Sequence, residues 1–194
     1  MKVLIACEFS GVVRDAFLER GHDAMSCDLL PTESDWLFGK HYQGDVFDII
    51  DDGWDLMIAH PPCTYLCNSG VRWLGEQEDR WGKMVIGASF MRRLLEAPIP
   101  RIAVENPIMH KHAVQIITRR QDQVIQPWQF GHGETKATCL WLKDLPKLVP
   151  TDVVEGREQR LHRLPPSKDR AKLRSMTYPG IAAAMADQWG GLLP

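Results

Sequence analysis

Residues 2 to 7, KVLIAC, form a nearly continuous apolar run with β-branched members, and this run constrains the fold more than any other feature. An unbroken apolar strand suits burial on both faces, as in a parallel sheet covered by helices. A second such strand is expected at 54 to 59, WDLMIA, and a third at 101 to 105 within PIPRIAVENP, stopped by Asn106-Pro107. Residues 23 to 28, DAMSCD, are a weaker strand ending in Asp28. Helical patterns lie between them. VVRDAFLERGH sets Val12, Val13, Ala16 and Phe17 at helical spacing, with Gly21 as the C-terminal cap. Residues 77 to 96 carry an apolar face from Trp81 to Leu95. Residues 109 to 121 predict a helix, as do 179 to 189, where Ile181, Ala184, Met185 and Trp189 share a face. HYQGDVF, 41 to 47, reads as a short element around Gly44-Asp45, after an irregular aromatic loop with Trp36 and Phe38. VIQPWQFG and TKATCLWLK predict a closing antiparallel pair. Strands alternate with helices through residue 121, so the expected fold is α/β with a mainly parallel sheet.

The 194 residues fit one domain. A formal net charge of -2 announces no global field for nucleic acid, although a local basic segment can still supply one. The five cysteines, at 7, 27, 63, 67 and 139, are odd in number, and no secretory signal is legible ahead of them. Free thiols in a reducing cytoplasm are expected. MKVLIACEF is too short an apolar run for a membrane span.

Ligands of parallel α/β sheets gather where strands run out into loops. That rule selects Glu8 to Gly11, Asp28, Ala59 to Cys63 and Glu105-Asn106. FSG, at 9 to 11, is a small-residue turn that lets backbone approach a ligand and points helix N–H groups at it; it is also an ordinary turn. Asp28, about 20 residues beyond that turn, has the spacing of a ribose-binding acid and equally of a capping aspartate. Asp45 reads as an adenine-amino partner or as a turn residue. In AHPPCTYLC, Pro61 and Pro62 pre-set an extended backbone that can present Cys63 at the mouth of a cleft. Cys63 is then a nucleophile, a metal ligand with His60 and Cys67, or a small buried thiol. Zinc sites usually draw a second ligand pair from elsewhere, and Cys7, Cys27 and Cys139 read as core, so no metal is expected. Glu105 leaves a buried strand, where an unpaired carboxylate is rare; an arginine such as Arg92, Arg93 or Arg101 is the bland partner.

The order of these features, FSG, Asp28, Gly44-Asp45, Pro-Pro-Cys and Glu-Asn-Pro, resembles that of the cytosine-C5 DNA methyltransferase family, with its FxG cofactor loop, catalytic Pro-Cys and Glu-Asn. FGHGETKATCLWL, 130 to 142, looks like the family's later β ribbon, and TYPGIAAAMADQWGG, 177 to 191, like its C-terminal helix. The resemblance implies a Rossmann-like S-adenosylmethionine-dependent methyltransferase fold with an antiparallel ribbon at the end. It implies that Glu8, Phe9, Ser10 and Gly11 line the cofactor site, that Asp28 holds the ribose and Asp45 the adenine, and that His60, Pro61 and Pro62 shape the pocket. Cys63 becomes the nucleophile that adds to C6 of cytosine, Glu105 with Asn106 the group at N3, and Lys136 the base or backbone contact. The implied partner is DNA, with the target base flipped out, or a free cytosine nucleotide.

The chain resembles a short, phage- or prophage-like member. Thr64 stands where the family has glutamine, Pro107 where it has valine, Glu134 where it has glutamine and Thr138 where it has a second arginine. About 35 residues, 143 to 177, replace the large target-recognition domain. That stretch carries Arg157, Arg160, Arg163, Lys168, Arg170, Lys172 and Arg174 against Glu158 and Asp169, so it reads as a phosphate-contacting insert or a solvated loop. SGVRWLG, 69 to 75, with Arg72, reads as a lid or DNA-contacting loop or as plain packing. The competing readings are modification of a free pyrimidine nucleotide and a catalytically degenerate nucleic-acid-binding accessory protein.

Overall fold

The computed structural model describes residues 1–36, 39–168 and 170–192, with the side chains of His162 and Ala171 left out; Phe38 and Asp169 lie outside the described residues. Seven strands form one sheet: β1 (Lys2–Ala6), β2 (Asp23–Asp28), β3 (Lys40–Gln43), β4 (Leu56–Ala59), β5 (Arg101–Pro107), β6 (Gln123–Ile125) and β7 (Thr138–Lys143). Their order is β3-β2-β1-β4-β5-β7-β6. The first five are parallel, whereas β7 runs antiparallel to both β5 and β6. The expected mainly parallel sheet with a terminal antiparallel ribbon is what forms.

The apolar runs are two-faced because successive strand side chains alternate. Leu4, Ala6, Met57, Ala59, Ile102 and Val104 face α2 (Arg80–Leu95), through Met84, Ala88, Met91 and Leu94. Val3, Ile5, Leu56, Ile58 and Ala103 face α1 (Val12–Leu18) and the last helix (Pro179–Gly190), through Val13, Phe17, Ile181, Met185 and Trp189. With both faces covered, every strand-end loop of the parallel set opens at one sheet edge.

Several boundaries differ from the sequence reading. The second helix begins at Arg80 because Asp79 adopts a left-handed φ of 63°. The third, α3 (Lys111–Ile117), starts behind His110, whose Nδ1 accepts the Ala113 N–H at 3.1 Å, and stops at left-handed Thr118. Strand β5 continues past Glu105 because β7 stays beside it, pairing Asn106 with Cys139 and Pro107 with Thr138. Residues 143 to 177 contain two short helices, α4 (Arg160–Arg163) and α5 (Arg170–Ser175); the last helix is thus α6. Among the described residues no helix is long and apolar enough to cross a membrane.

Candidate functional site

Two cavities lie at the carboxyl edge of the parallel strands. The first, of about 120 Å³, gathers Glu8, Phe9, Ser10, His60, Pro61, Pro62, Cys63, Glu105, Asn106 and Lys136. The second, of about 390 Å³, gathers Asp28 and Asp45 with Cys27, Val46, Ile86 and Phe90. Cys7 and Pro62 border both. Cys7 is therefore not the core residue that its sequence context suggests. It sits one residue beyond β1 with a left-handed φ of 58°, a costly backbone for a residue with a side chain. The sequence held no signal for that turn, because Cys7 simply continues the apolar run.

The first cavity is built on two strand ends. Asn106 Nδ2 donates to the Pro61 carbonyl at 2.8 Å, bracing the Cys63 loop against β5. Arg80, buried and unmarked in the sequence reading, donates to the Thr64 carbonyl at 3.2 Å and lies 5.1 Å from the centre of the Tyr65 ring, gripping the same loop from α2. The sequence held no usable signal for it, because an arginine opening a helix is conspicuous only once the loop is known to pass over it. Glu105 meets no arginine of α2. Its Oε2 lies 3.1 Å from His60 Nδ1, and both side chains are nearly buried. Burial alone pushes the Glu105 carboxyl up, but the His60 hydrogen bond and charge and the Lys136 charge hold it below the usual carboxylate range.

Cys63 and Cys67 share one turn, in which the Leu66 and Cys67 N–H groups both donate to the Cys63 carbonyl at 3.0 Å. The Cys63 thiol is pushed up, chiefly by donating to Cys67 and then by burial. The Cys67 thiol is pulled well below the usual range, first by that bond and, against its own burial, by Ser69 Oγ at 3.1 Å and the Gly70 N–H. Of the two thiols, Cys67 is thus the one whose surroundings favour the thiolate. Limited iodoacetamide treatment below neutral pH is expected to label Cys67 before Cys63, read by peptide mass spectrometry, because the thiolate is the reacting species. Preferential labelling of Cys63 would contradict this ordering.

The FSG turn differs from its expected role. Glu8 is buried, and its carboxylate accepts the Val13 N–H at 2.7 Å and the Arg14 N–H at 3.2 Å. These are the helix-start donors that the sequence reading aimed at a ligand. Gly11, at φ 78°, borders neither cavity; a Cβ there would meet Ser34 Cβ at 2.5 Å. Phe9 and Ser10 do border the first cavity. In the second, Asp28 Oδ1 accepts the Leu30 N–H at 2.9 Å and Asp45 Oδ1 the Phe47 N–H at 3.0 Å, each serving a local turn with one oxygen. Burial, followed by the charges of Asp28 and Asp45, pushes the Cys27 thiol up to about 12.

The basic segment is largely engaged within the chain. Arg160 and the Leu161 N–H both bind buried Glu134, at 3.0 and 2.9 Å, and Tyr178 donates to it at 2.5 Å. Glu134 is thus an anchor for the insert. Arg157 covers the Trp128 ring, Arg170 donates to the Leu164 carbonyl, and Lys172 pairs with Glu33 at 2.5 Å. Arg163 and Lys168 are exposed, as is Arg72, whose guanidinium covers Trp73 in a 3-10 turn at 68 to 74. Arg174 borders the Cys63 cavity, with Ser175, Met176 and Thr177 beside it, and Lys136 Nζ donates to the Met176 carbonyl at 3.1 Å. Among the described residues no group of three or more His, Cys, Asp or Glu is disposed to hold a metal ion.

No family model matches the chain, and no curated protein does. Solved structures do. A candidate DNA modification methyltransferase encoded within an E. coli prophage matches with a TM-score of 0.54 at 16% identity, covering 85% of this chain and 55% of that one. A methyltransferase of Entamoeba histolytica matches with a TM-score of 0.53 at 13% identity, covering 82% of this chain and 57% of that one. The chain thus spans little more than half the length of each. Likeness at this identity establishes the fold, which is a Rossmann-like methyltransferase fold.

Proposed function

We propose that this protein transfers a methyl group from S-adenosylmethionine to C5 of cytosine in DNA, with residues 143 to 177 as a reduced basic insert in a single methyltransferase-like domain. One observation carries the reading: Cys63, after β4, and Glu105, at the end of β5, border one cavity, and an acid-bearing cavity adjoins it through Cys7 and Pro62.

The second cavity suits an adenosine. Its walls are largely apolar, and Asp28 and Asp45 each commit one oxygen to a local turn, leaving the other for the ribose hydroxyls and the adenine amino group respectively. S-adenosylmethionine bound there supplies an electrophilic methyl group. Cytosine C5 is a poor nucleophile until a thiolate adds at C6 and makes it enamine-like. Cys63 is a thiol on the cavity wall, and Cys67, in the same turn, is placed to take its proton. Glu105 holds the N3 edge, Asn106 keeps the loop braced, and Lys136 contacts the base or its backbone.

Labelled cofactor incubated with DNA and, separately, with free cytosine nucleotides tests the reading. Label on DNA is expected; no label on any of them, from folded protein, overturns it. Asp28→Ala is expected to weaken cofactor binding about 10- to 100-fold in calorimetry, the weight of one or two hydrogen bonds to a charged group. Tight cofactor binding by the wild type also argues against a degenerate accessory protein. A free cytosine nucleotide is the second reading. It is favoured by the 174 to 177 segment, which narrows the first cavity, and by the internal engagement of the insert's cations. The same assay separates the two.

A further inference from the structure

We propose that His60 is a positioning residue that supplies, through Glu105, the proton needed at the cytosine N3 edge; this role rests on the methyl-transfer reading above. The sequence reading put His60 with the cofactor, but its ring serves the other cavity. The His60 N–H donates to the Ala6 carbonyl at 2.9 Å, fixing the residue between β1 and β4. The side chain is nine-tenths buried, with Nδ1 against Glu105 Oε2. Nε2 is buried without a hydrogen-bond partner among the described residues, although the ring borders the Cys63 cavity. An orphaned ring nitrogen of this kind is costly unless a ligand satisfies it, which marks the position as one kept for use.

Charged groups face the couple from each element around it. Glu105 comes from β5, and Lys136 approaches it from the ribbon. Glu8, from the turn after β1, feels the His60 charge but is committed to the α1 amides, with Arg14 beside it. Cys63 lies in the same loop as His60. The proton placed to pass to Glu105 is the one on the His60 Nδ1–Oε2 hydrogen bond.

The chemistry requires that proton. A bare carboxylate and the N3 lone pair are both acceptors and repel each other. When the thiolate adds, its electron pair forms the S–C6 bond, the C5=C6 pair moves to C4=C5, and the C4=N3 pair moves onto N3. Glu105 Oε2 takes the proton of the His60 imidazolium and passes it to N3. The imidazolium becomes neutral imidazole, the carboxylate is unchanged, and the positive charge lost by the ring balances the thiolate charge consumed.

His60→Asn separates orientation from proton supply, because an asparagine amide can still donate to Glu105 but carries no titrating proton. The variant is expected to bind cofactor normally and to lose about 10²-fold in kcat, the usual weight of a general acid. The pH dependence of the wild-type rate that comes through His60 should be flattened in the variant. A His60→Asn rate within about threefold of wild type with the same pH profile overturns the proposal, since general-acid losses are larger. Carbon-13 titration of the Glu105 carboxyl in the free protein gives a readout without substrate: its midpoint should rise in His60→Asn, and an unchanged midpoint overturns the couple. A wild type that methylates no cytosine substrate, with the two titrations differing, instead overturns the reaction assignment on which the role depends.

Discussion

Cys63→Ala is expected to abolish methyl transfer, lowering kcat by about 10³-fold or more, while cofactor binding stays within about threefold of wild type. The loss is large because no second nucleophile can substitute. Cys67 is the more ionised thiol, yet it is committed to Cys63, Ser69 and Gly70 and does not border the Glu105 cavity. Cys7 also borders that cavity, but the thiol near it, Cys27, is itself pushed up, so Cys7 lacks the proton-accepting neighbour that Cys67 gives Cys63. Serine at position 63 should not rescue the rate, since a hydroxyl beside a thiolate base keeps its proton. Covalency has its own assay. Fluorine at C5 cannot leave as a proton, so wild type with a 5-fluorocytosine oligonucleotide and cofactor should give an adduct that survives denaturing electrophoresis, and Cys63→Ala none. A variant that retains activity within tenfold, or forms the adduct, would move the nucleophile elsewhere.

The sheet was legible because two-sided burial writes itself as unbroken apolar runs, and the strand-end rule then located most of the candidate residues. What was hidden depends on pairings between residues distant in sequence. Nothing in AHPPC says that His60 will meet an acid 45 residues later, because that meeting depends on β4 and β5 being neighbours. Glu8 looked like a ligand-facing residue for a related reason. A carboxylate just before a helix start either meets a ligand or turns back onto the helix amides, and only the backbone path at Cys7 and Gly11 decides which. The insert's cations were read by count. Their engagement by Glu134, Glu33 and backbone carbonyls arises from a fold-back that composition does not encode.

Gly180→Ala is expected to lower stability by about 3 kcal/mol, although intrinsic helix propensity predicts the opposite sign by up to about 1 kcal/mol. The residue lies in the first turn of α6, where its N–H donates to His132 Nε2 at 3.1 Å. A Cβ there would overlap the Phe130 carbonyl oxygen and come within 3.0 Å of His132 Nε2. A carbonyl fixed in backbone cannot rotate away as a side-chain tip would, so the helix start must move. At about 2–4 °C per kcal/mol for a chain of this size, the melting temperature should fall by about 6–12 °C. The displacement should also reach the site, because the residues just ahead of α6 form its wall. Tyr178 binds Glu134, and the Met176 carbonyl holds Lys136 beside the Cys63 cavity. Methyl transfer measured well below the new melting temperature should therefore fall while cofactor binding in the Asp28 cavity persists. A melting temperature that is unchanged or raised would mean that propensity outweighs the overlap and that α6 does not hold the wall in place.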